Sequence, residues 1–492
     1  MLHLKGSPDR LARINDGRKY FLLVLLVHEE NTMIETLSWS PGTAAERMPP
    51  APPGELEVAA ILPRQAKSVS DTGLDARLVV ALALKTLHAT GRAPLPLLAG
   101  RLRLSISVLR EVLAGLIAEQ QVEVAWCGES DIDVQYQLTA IGQRAARDAL
   151  AECRYLRPAP VTLAAWRAMV ERQSLRQSGA SRPHAADMAA LLGDDGLDAQ
   201  QRELLGAALH GQRALLLHGP SGSGKTTLAR RLVRLLPGAI AVPYAVLIGG
   251  RIVRMYDPAC HPAPLPLARQ LEERRSCDAR WAICQRPLVH VGADMDGAGF
   301  DLRYDAEHGV AHAPPQLQAA NGILVIDDLG RQRLPVAELL NRWLGPLDGG
   351  PLRLACGSQL EALPFDALLV FVTNLAPGSV FDPAMLRRIA YRIGLGPLSD
   401  ASYRALLRRQ CRLLGLDCPE SVLEHLVARL HRPSGTPLLA CYPQELLRRL
   451  SDFASLAGTE PCLSIAALEQ AWNSLGASGS APASNPAAGT AS

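Results

Sequence analysis

The segment Gly219, Pro220, Ser221, Gly222, Ser223, Gly224, Lys225, Thr226, Thr227 carries glycines, a lysine and a hydroxyl at the spacing that holds phosphates. Its glycines let the backbone bend so that successive N–H groups point inward at anionic oxygens. The N-terminus of a following helix adds a positive end. Lys225 is placed to reach the β- and γ-phosphates of ATP, and Thr226 to offer its hydroxyl to Mg2+. The lysine is informative because the chain has only Lys5, Lys19, Lys67, Lys85 and Lys225, arginine supplying the remaining positive charge.

A phosphate loop needs a second group on the metal side, and Ile323-Leu-Val-Ile-Asp327-Asp328 supplies it. Asp327, ending a buried apolar strand, can hold a Mg2+-bound water, and Asp328 can orient or deprotonate the attacking water. Asn374 closes the next apolar run, Leu368 to Thr373, where its amide can meet the γ-phosphate or that water. Further on, Asp382-Pro-Ala-Met-Leu-Arg387-Arg388 sets two adjacent arginines at a helix end. Adjacent residues on a helix do not share a face, so one arginine can address a neighbouring subunit's phosphate while the other makes a local contact.

These groups need a frame, and the sequence predicts a parallel sheet covered by helices. Ala214 to Leu217 reads as the strand entering the loop and Lys225 to Leu236 as the helix leaving it. Gly322 to Ile326 and Leu368 to Val372 read as further core strands. A helix (Val336 to Leu347) and a hairpin (Leu352 to Leu363) fall between them. After Pro397 only helices remain: Ala401 to Leu414, Ser421 to His431, Gln444 to Leu456 and Ile465 to Leu475.

Upstream, helices over Leu78–Thr90, Pro94–Leu102 and Ile106–Gln120 precede a strand pair, Gln121–Trp126 and Val134–Leu138, around a polar turn at Gly128–Asp133. A helix over Ala140–Tyr155 closes the module, in the pattern of a winged helix. The expected organisation is a disordered or mis-annotated lead-in (1–72), a winged-helix-like domain (73–172), a linker (173–189), an ATPase core (190–396), a helical lid (397–475) and a disordered tail (476–492). The lead-in contains Pro41, Pro49, Pro50, Pro52 and Pro53 without helical period.

At 492 residues, 48% of them apolar, the chain is long enough for about three domains. A formal net charge of +3 gives no whole-molecule field of the kind that marks a nucleic-acid binder. The ten cysteines form no CxxC pair or zinc-spaced cluster, and Cys260-His261 is a lone pair of neighbours; the expectation is reduced thiols in a cytoplasmic protein. Tyr20 to Val27 is apolar but too short to span a bilayer, and Glu29-Glu30 follows it, so no membrane insertion is expected. Translation starting at Met33 is an alternative origin for that segment.

Together these features resemble the AAA+ ATPases over about residues 185–475. The resemblance implies an α/β fold with a parallel-sheet P-loop core and all-helical lid, Asn374 as first sensor, and Arg387 or Arg388 as arginine finger. It also implies hydrolysis of Mg-ATP in a ring, a hexamer by family resemblance. The helix and hairpin before the first sensor are similar to a branch that includes bacterial enhancer-binding proteins, but the GAFTGA loop of those proteins is absent. An uncharacterised bacterial group with a winged-helix-like N-terminal segment shares Val242-Pro-Tyr-Ala, Asp301-Leu-Arg-Tyr-Asp, Ile326-Asp-Asp-Leu-Gly-Arg-Gln and Leu340-Asn-Arg-Trp, and that likeness reaches back to about residue 73.

There are departures from the family pattern. Many ATPases carry Glu where Asp328 stands, one methylene longer, so slow turnover is expected. The second sensor is usually an arginine at the start of the third lid helix, where this sequence has Gln444; Arg448 and Arg449 lie one turn later. No LSGGQ-like signature points to a transporter. The alternative to a remodelling ATPase is a slow nucleotide switch whose winged-helix-like module binds protein or DNA. For that module the third helix offers only Arg110, offset by Glu111 and Glu119, with Arg101 and Arg103 just before it able to touch phosphate. Over residues 73–172 there are twelve basic and ten acidic side chains, a count that favours an unknown protein partner over DNA.

Overall fold

The computed structural model describes residues 62–126, 134–176, 183, 185–193, 196–263, 276–356 and 359–476. The Tyr20–Val27 segment, most of the 1–72 lead-in, the whole Gly128–Asp133 turn and almost the whole tail lie outside the described residues. Among those described, no helix is long and apolar enough to cross a membrane.

The centre of the molecule is a five-stranded, wholly parallel sheet. In spatial order its strands are Leu288–Val291, Ile323–Ile326, Leu368–Thr373, Leu215–His218 and Tyr391–Gly394. The three middle strands are apolar in almost every position and buried along nearly their whole length, as parallel strands covered on both faces must be. Leu215, Leu217, Val325 and Val370 face Leu205, Leu209, Leu228 and Leu232 on one side. Leu216, Leu324, Ile326 and Phe371 face Leu339, Trp343, Phe381 and Met385 on the other. Side chains alternating along each strand therefore feed two different helical layers.

After Leu368–Thr373 the chain crosses to the far side of Leu215–His218, so the strand order switches direction beside the phosphate-loop strand. In open α/β sheets such a switch point opens a crevice beyond the carboxyl ends of the strands. The lid packs separately around Tyr403, Leu407, Leu426, Leu447 and Trp472. Its long helices, Asp400–Leu413, Cys441–Leu456 and Ile465–Ser474, fall where the apolar period places them.

The N-terminal helices Ala76–Thr90, Leu95–Leu102 and Ile106–Ala118 also follow the sequence pattern. They pack with an antiparallel sheet of Arg92–Pro94, Gln135–Leu138 and Val122–Trp126, in that order. Residues 161–172 leave this cluster. Val161–Thr162 pairs with Ala245–Ile248 in a second five-stranded sheet, completed by Arg251–Arg254, Val310–His312 and Arg303–Asp305. This mixed sheet and the antiparallel pair Ala239–Pro243/Trp281–Gln285 fill a stretch in which the sequence showed no element. The polar stretch that opens at Gln173 is tied down at its start: the Gln173 amide donates to the Ala241 carbonyl at 3.1 Å and to Asn321 Oδ1 at 2.8 Å.

The lead-in is not disordered as far as residue 72. From Leu62 on it is packed, with Leu62 and Val69 in two separate apolar clusters. The prolines that signal disorder end earlier, and these few apolar residues are anchored by polar groups that lie far off in sequence. The Val69 N–H donates to Glu111 Oε2 at 2.9 Å, and Ser105 donates to the Ala66 carbonyl at 2.6 Å. Arg280, 5% exposed, joins three segments: it pairs with Asp278 at 2.7 Å and donates to the carbonyls of Thr72 at 3.3 Å and Pro160 at 3.1 Å.

Truncating Arg280 leaves the Asp278 carboxylate buried without its partner, a change that typically costs about 3–5 kcal/mol. Arg280→Ala should therefore lower the urea midpoint by that order of stability, while Arg77→Ala, at an exposed position, should leave it in place. Equal midpoints for the two variants would show that the Arg280 junction does not hold these segments together.

Candidate nucleotide site

Strand Leu215–His218 delivers the loop and helix Lys225–Arg231 receives it. Gly219 has φ 139° and Gly222 has φ 82°, conformations that side chains other than glycine's rarely adopt. A Cβ at Gly219 would also collide with the Leu395 carbonyl oxygen, and one at Gly222 would sit 2.5 Å from Cys441 Sγ. Both glycines are thus required twice over, by backbone conformation and by close approach.

The Lys225 side chain curls back over the loop, donating to the carbonyls of Gly219 at 3.0 Å and Pro220 at 2.7 Å, and lying 3.3 Å from Ser223 Oγ. Burial pushes its ammonium below its ordinary pKa, while Asp327 and Asp328 pull the other way. Within the loop, therefore, lysine faces the two acids that the sequence assigned to the metal side.

The junction of loop and acid is a short hydrogen bond: Thr226 Oγ1 donates to Asp327 Oδ2 at 2.7 Å. The same carboxylate oxygen lies 2.9 Å from His290 Nε2, and the Asp328 N–H donates to Asp327 Oδ1 at 2.9 Å. Burial alone would raise the Asp327 pKa, but the bonds from His290, Thr226 and Asp328 outweigh it and hold the carboxyl below its ordinary value. Asp328 has φ 50°, an uncommon left-handed conformation. Its carboxylate accepts from Asn374 Nδ2 at 3.0 Å. Thr373 Oγ1 donates to the Leu329 carbonyl at 2.8 Å, fixing the turn after the acids.

The chain thus brings Lys225, Thr226, Asp327, Asp328 and Asn374 together, and it brings in His290, which the sequence reading missed. His290 is the one polar residue of Leu288–Val291, and the neighbouring strand sets it beside Asp327 by pairing it with Val325. The donor set suits a hydrated magnesium ion and a triphosphate: a hydroxyl and a carboxylate in contact, an ammonium, and a glycine loop at the N-terminus of a helix.

Arg387 and Arg388 are not part of this group. They precede Tyr391, which pairs with Leu215, so they lie where the core strands begin and the loop lies where they end. Strands of four residues separate the two edges by roughly 13 Å. Arg388 pairs with Asp348 at 2.7 Å, and among the described residues Arg387 bonds only the Pro383 carbonyl of its own helix, at 3.2 Å. A cavity of about 140 Å³ at this edge is lined by Arg176, Arg213, Asp348 and Arg388 among others. In the lid, Arg449 donates to the Ser474 carbonyl at 3.0 Å, while Gln444 and Arg448 are exposed. Cys260 and His261 occupy a turn in which His261 Nδ1 accepts from the Asp257 N–H and Nε2 donates to the Gln318 carbonyl at 2.9 Å.

Residues 187–242, which contain the loop, match the family model for magnesium chelatase, subunit ChlI. Residues 399–474 match a domain of unknown function (DUF8689). Similar solved structures include NtrX from Brucella abortus in complex with ADP, at 14% identity and TM-score 0.35, the match covering 57% of this chain and 56% of that one. The Thermotoga maritima RuvB Holliday junction branch migration motor is matched at 13% identity and TM-score 0.32, over 57% of this chain and 70% of that one. The chain thus spans little more than half the length of NtrX. No curated protein matches it.

Removing the imidazole removes one of the bonds that favour the ionised Asp327. A carboxyl with a depressed folded pKa stabilises the folded site above its unfolded value, about 3.9, and loses that effect as pH falls through the folded value. His290→Ala should move this acid limb to higher pH, read as the Asp327 carboxyl titration by carbon NMR. An unshifted titration would mean that His290 does not act on Asp327.

Proposed function

We propose that this chain is an AAA+ ATPase that binds and hydrolyses Mg-ATP at subunit interfaces of a ring, a hexamer by family resemblance, and uses the cycle to remodel a partner macromolecule in the cytoplasm. The observation that carries the reading is the 2.7 Å hydrogen bond from Thr226 to Asp327, which joins the phosphate loop to the acidic strand end. A bound magnesium ion would neutralise charge on the β- and γ-phosphates. Thr226 and Asp327 are the residues to hold it, Gly219 to Thr227 cradle the phosphates, and Lys225 meets them as a point charge. Asp328 takes or orients the proton of the attacking water, and Asn374 sets the angle of the Asp328 carboxylate. With its shorter side chain Asp328 supports slow turnover.

The separation of Arg387 and Arg388 from their own loop supports catalysis in trans. Arg388 is the one with the local contact, to Asp348, so Arg387 is assigned as the finger.

Lys225→Ala should abolish tight ATP binding in a calorimetric titration. Asp328→Asn should bind nearly normally and lose turnover by about 10²–10⁴-fold. Equal loss of binding in both would show the two acids to be misassigned.

Arg387→Ala should bind ATP normally yet hydrolyse it more slowly by on the order of 10³, and mixing it with Lys225→Ala should restore part of the activity. Specific activity should rise with protein concentration. Activity that stays flat on dilution, with only monomer sedimenting in ATP, would leave the switch reading in place of the ring.

A further inference from the structure

The seam between the N-terminal helices and the mixed sheet gathers positive charge from distant parts of the chain. Arg303 pairs across strands with His312, and His312 with Arg254, so the three form one lateral row. The side chains of directly paired residues share a face. Arg157 lies close enough to Arg254 to repel it: burial lowers the Arg254 pKa first and the Arg157 charge next. His312 is pushed down in the same way, by burial and then by Arg254 and Arg303, with His308 adding a smaller push.

The row continues onto the N-terminal module. The Ala159 N–H donates to the Leu102 carbonyl at 2.9 Å, which ties the segment carrying Arg157 to the segment carrying Arg101 and Arg103. The Arg103 guanidinium lies 5.5 Å from the centre of the Tyr244 ring, next to Ala245, the strand partner of Arg254.

Two acids, Asp257 and Asp305, draw the Arg254 pKa upward by amounts smaller than the effect of Arg157, and both are held in hydrogen bonds of their own. Asp305 accepts from His308 Nδ1 at 2.6 Å and from the N–H groups of Glu307 and His308, and Asp257 accepts from the Ala259 N–H. The side chains of Arg157, Arg254, Arg303 and His312 have no hydrogen bond or ion pair among the described residues. Like charges held together, one of them half-buried, raise the energy of the folded chain unless an anion neutralises them.

We propose that this seam binds the phosphate backbone of a nucleic acid. Guanidinium groups match phosphate oxygens in a planar fork. Arg101 and Arg103, placed just before the third N-terminal helix to touch phosphate, lie on a segment that adjoins those of Arg157 and Arg254. The count over residues 73–172, which favours a protein partner, omits Arg254, Arg303, His308 and His312, and with them Asp257 and Asp305, because all of these come later in the chain. The seam is separate from the phosphate loop, so binding survives in Lys225→Ala.

The test is fluorescence anisotropy of the full chain with a labelled oligothymidine, over a series of salt concentrations. Arg157→Glu/Arg303→Glu should weaken binding at least about tenfold and flatten the salt slope by about 2, one unit per lost phosphate contact. Arg412→Glu/Arg429→Glu, an equal charge change on exposed lid positions, should bind as the unaltered chain does. If the glutamate pair melts early, Arg157→Gln/Arg303→Gln carries the same expectation with a smaller effect. The proposal is overturned if the unaltered chain does not bind, if seam and lid variants weaken equally, or if polyglutamate displaces the oligonucleotide at equal charge concentration, which would make an acidic protein the partner.

Discussion

The hydrogen bond between Thr226 and Asp327 spans a gap that the sheet creates. The strands that deliver these two residues are not neighbours, because Leu368–Thr373 lies between them. With strands about 4.8 Å apart, their axes stand roughly 10 Å from one another. Side chains at the loop and at the strand end can close that distance only if the intervening strand stops in time and ends in something small and polar. Thr373 and Asn374 meet that requirement, one pinning the turn after the acids and the other holding Asp328. The apolar strands keep this register because a slip of one residue would turn each buried row toward the wrong helical layer.

Arginine does much of the work that ties the surrounding loops to this frame. Arg286, 8% exposed, donates to the carbonyls of Pro237 at 2.7 Å, Asn321 at 2.7 Å and Gln173 at 3.2 Å, and burial pulls its pKa down to about 10. A guanidinium can serve several carbonyls in fixed directions, whereas an ammonium offers three donors on a flexible stem. In a chain with five lysines, buried arginines of this kind act as joints between segments, and arginines without partners stand out against them.

The parts legible in the sequence were those with a long pattern or a demanding motif. The phosphate loop, the acidic strand end, Asn374 and the lid helices each rest on residue types with few alternatives at that spacing. The strands between Ala239 and His312 are only three to five residues long and mix arginines with apolar positions, so neither period is established. His290 was invisible for a related reason: a single histidine in an apolar strand gains meaning only when the adjacent strand places Asp327 against it. The packed segment after Leu62 depends on Glu111, Ser105 and Arg280, contacts too far off in sequence to be inferred from local composition.

The lid rests directly on the phosphate loop, since the Cys441 N–H donates to the Gly222 carbonyl at 2.9 Å. Cys441 opens a helix of 16 residues, about 24 Å in length. Any adjustment of the loop backbone therefore acts on the short arm of a lever. A tilt of about ten degrees at the loop carries the far end of that helix through roughly 4 Å, so a movement too small to alter the sheet becomes a displacement the size of a side chain at the outer surface of the lid.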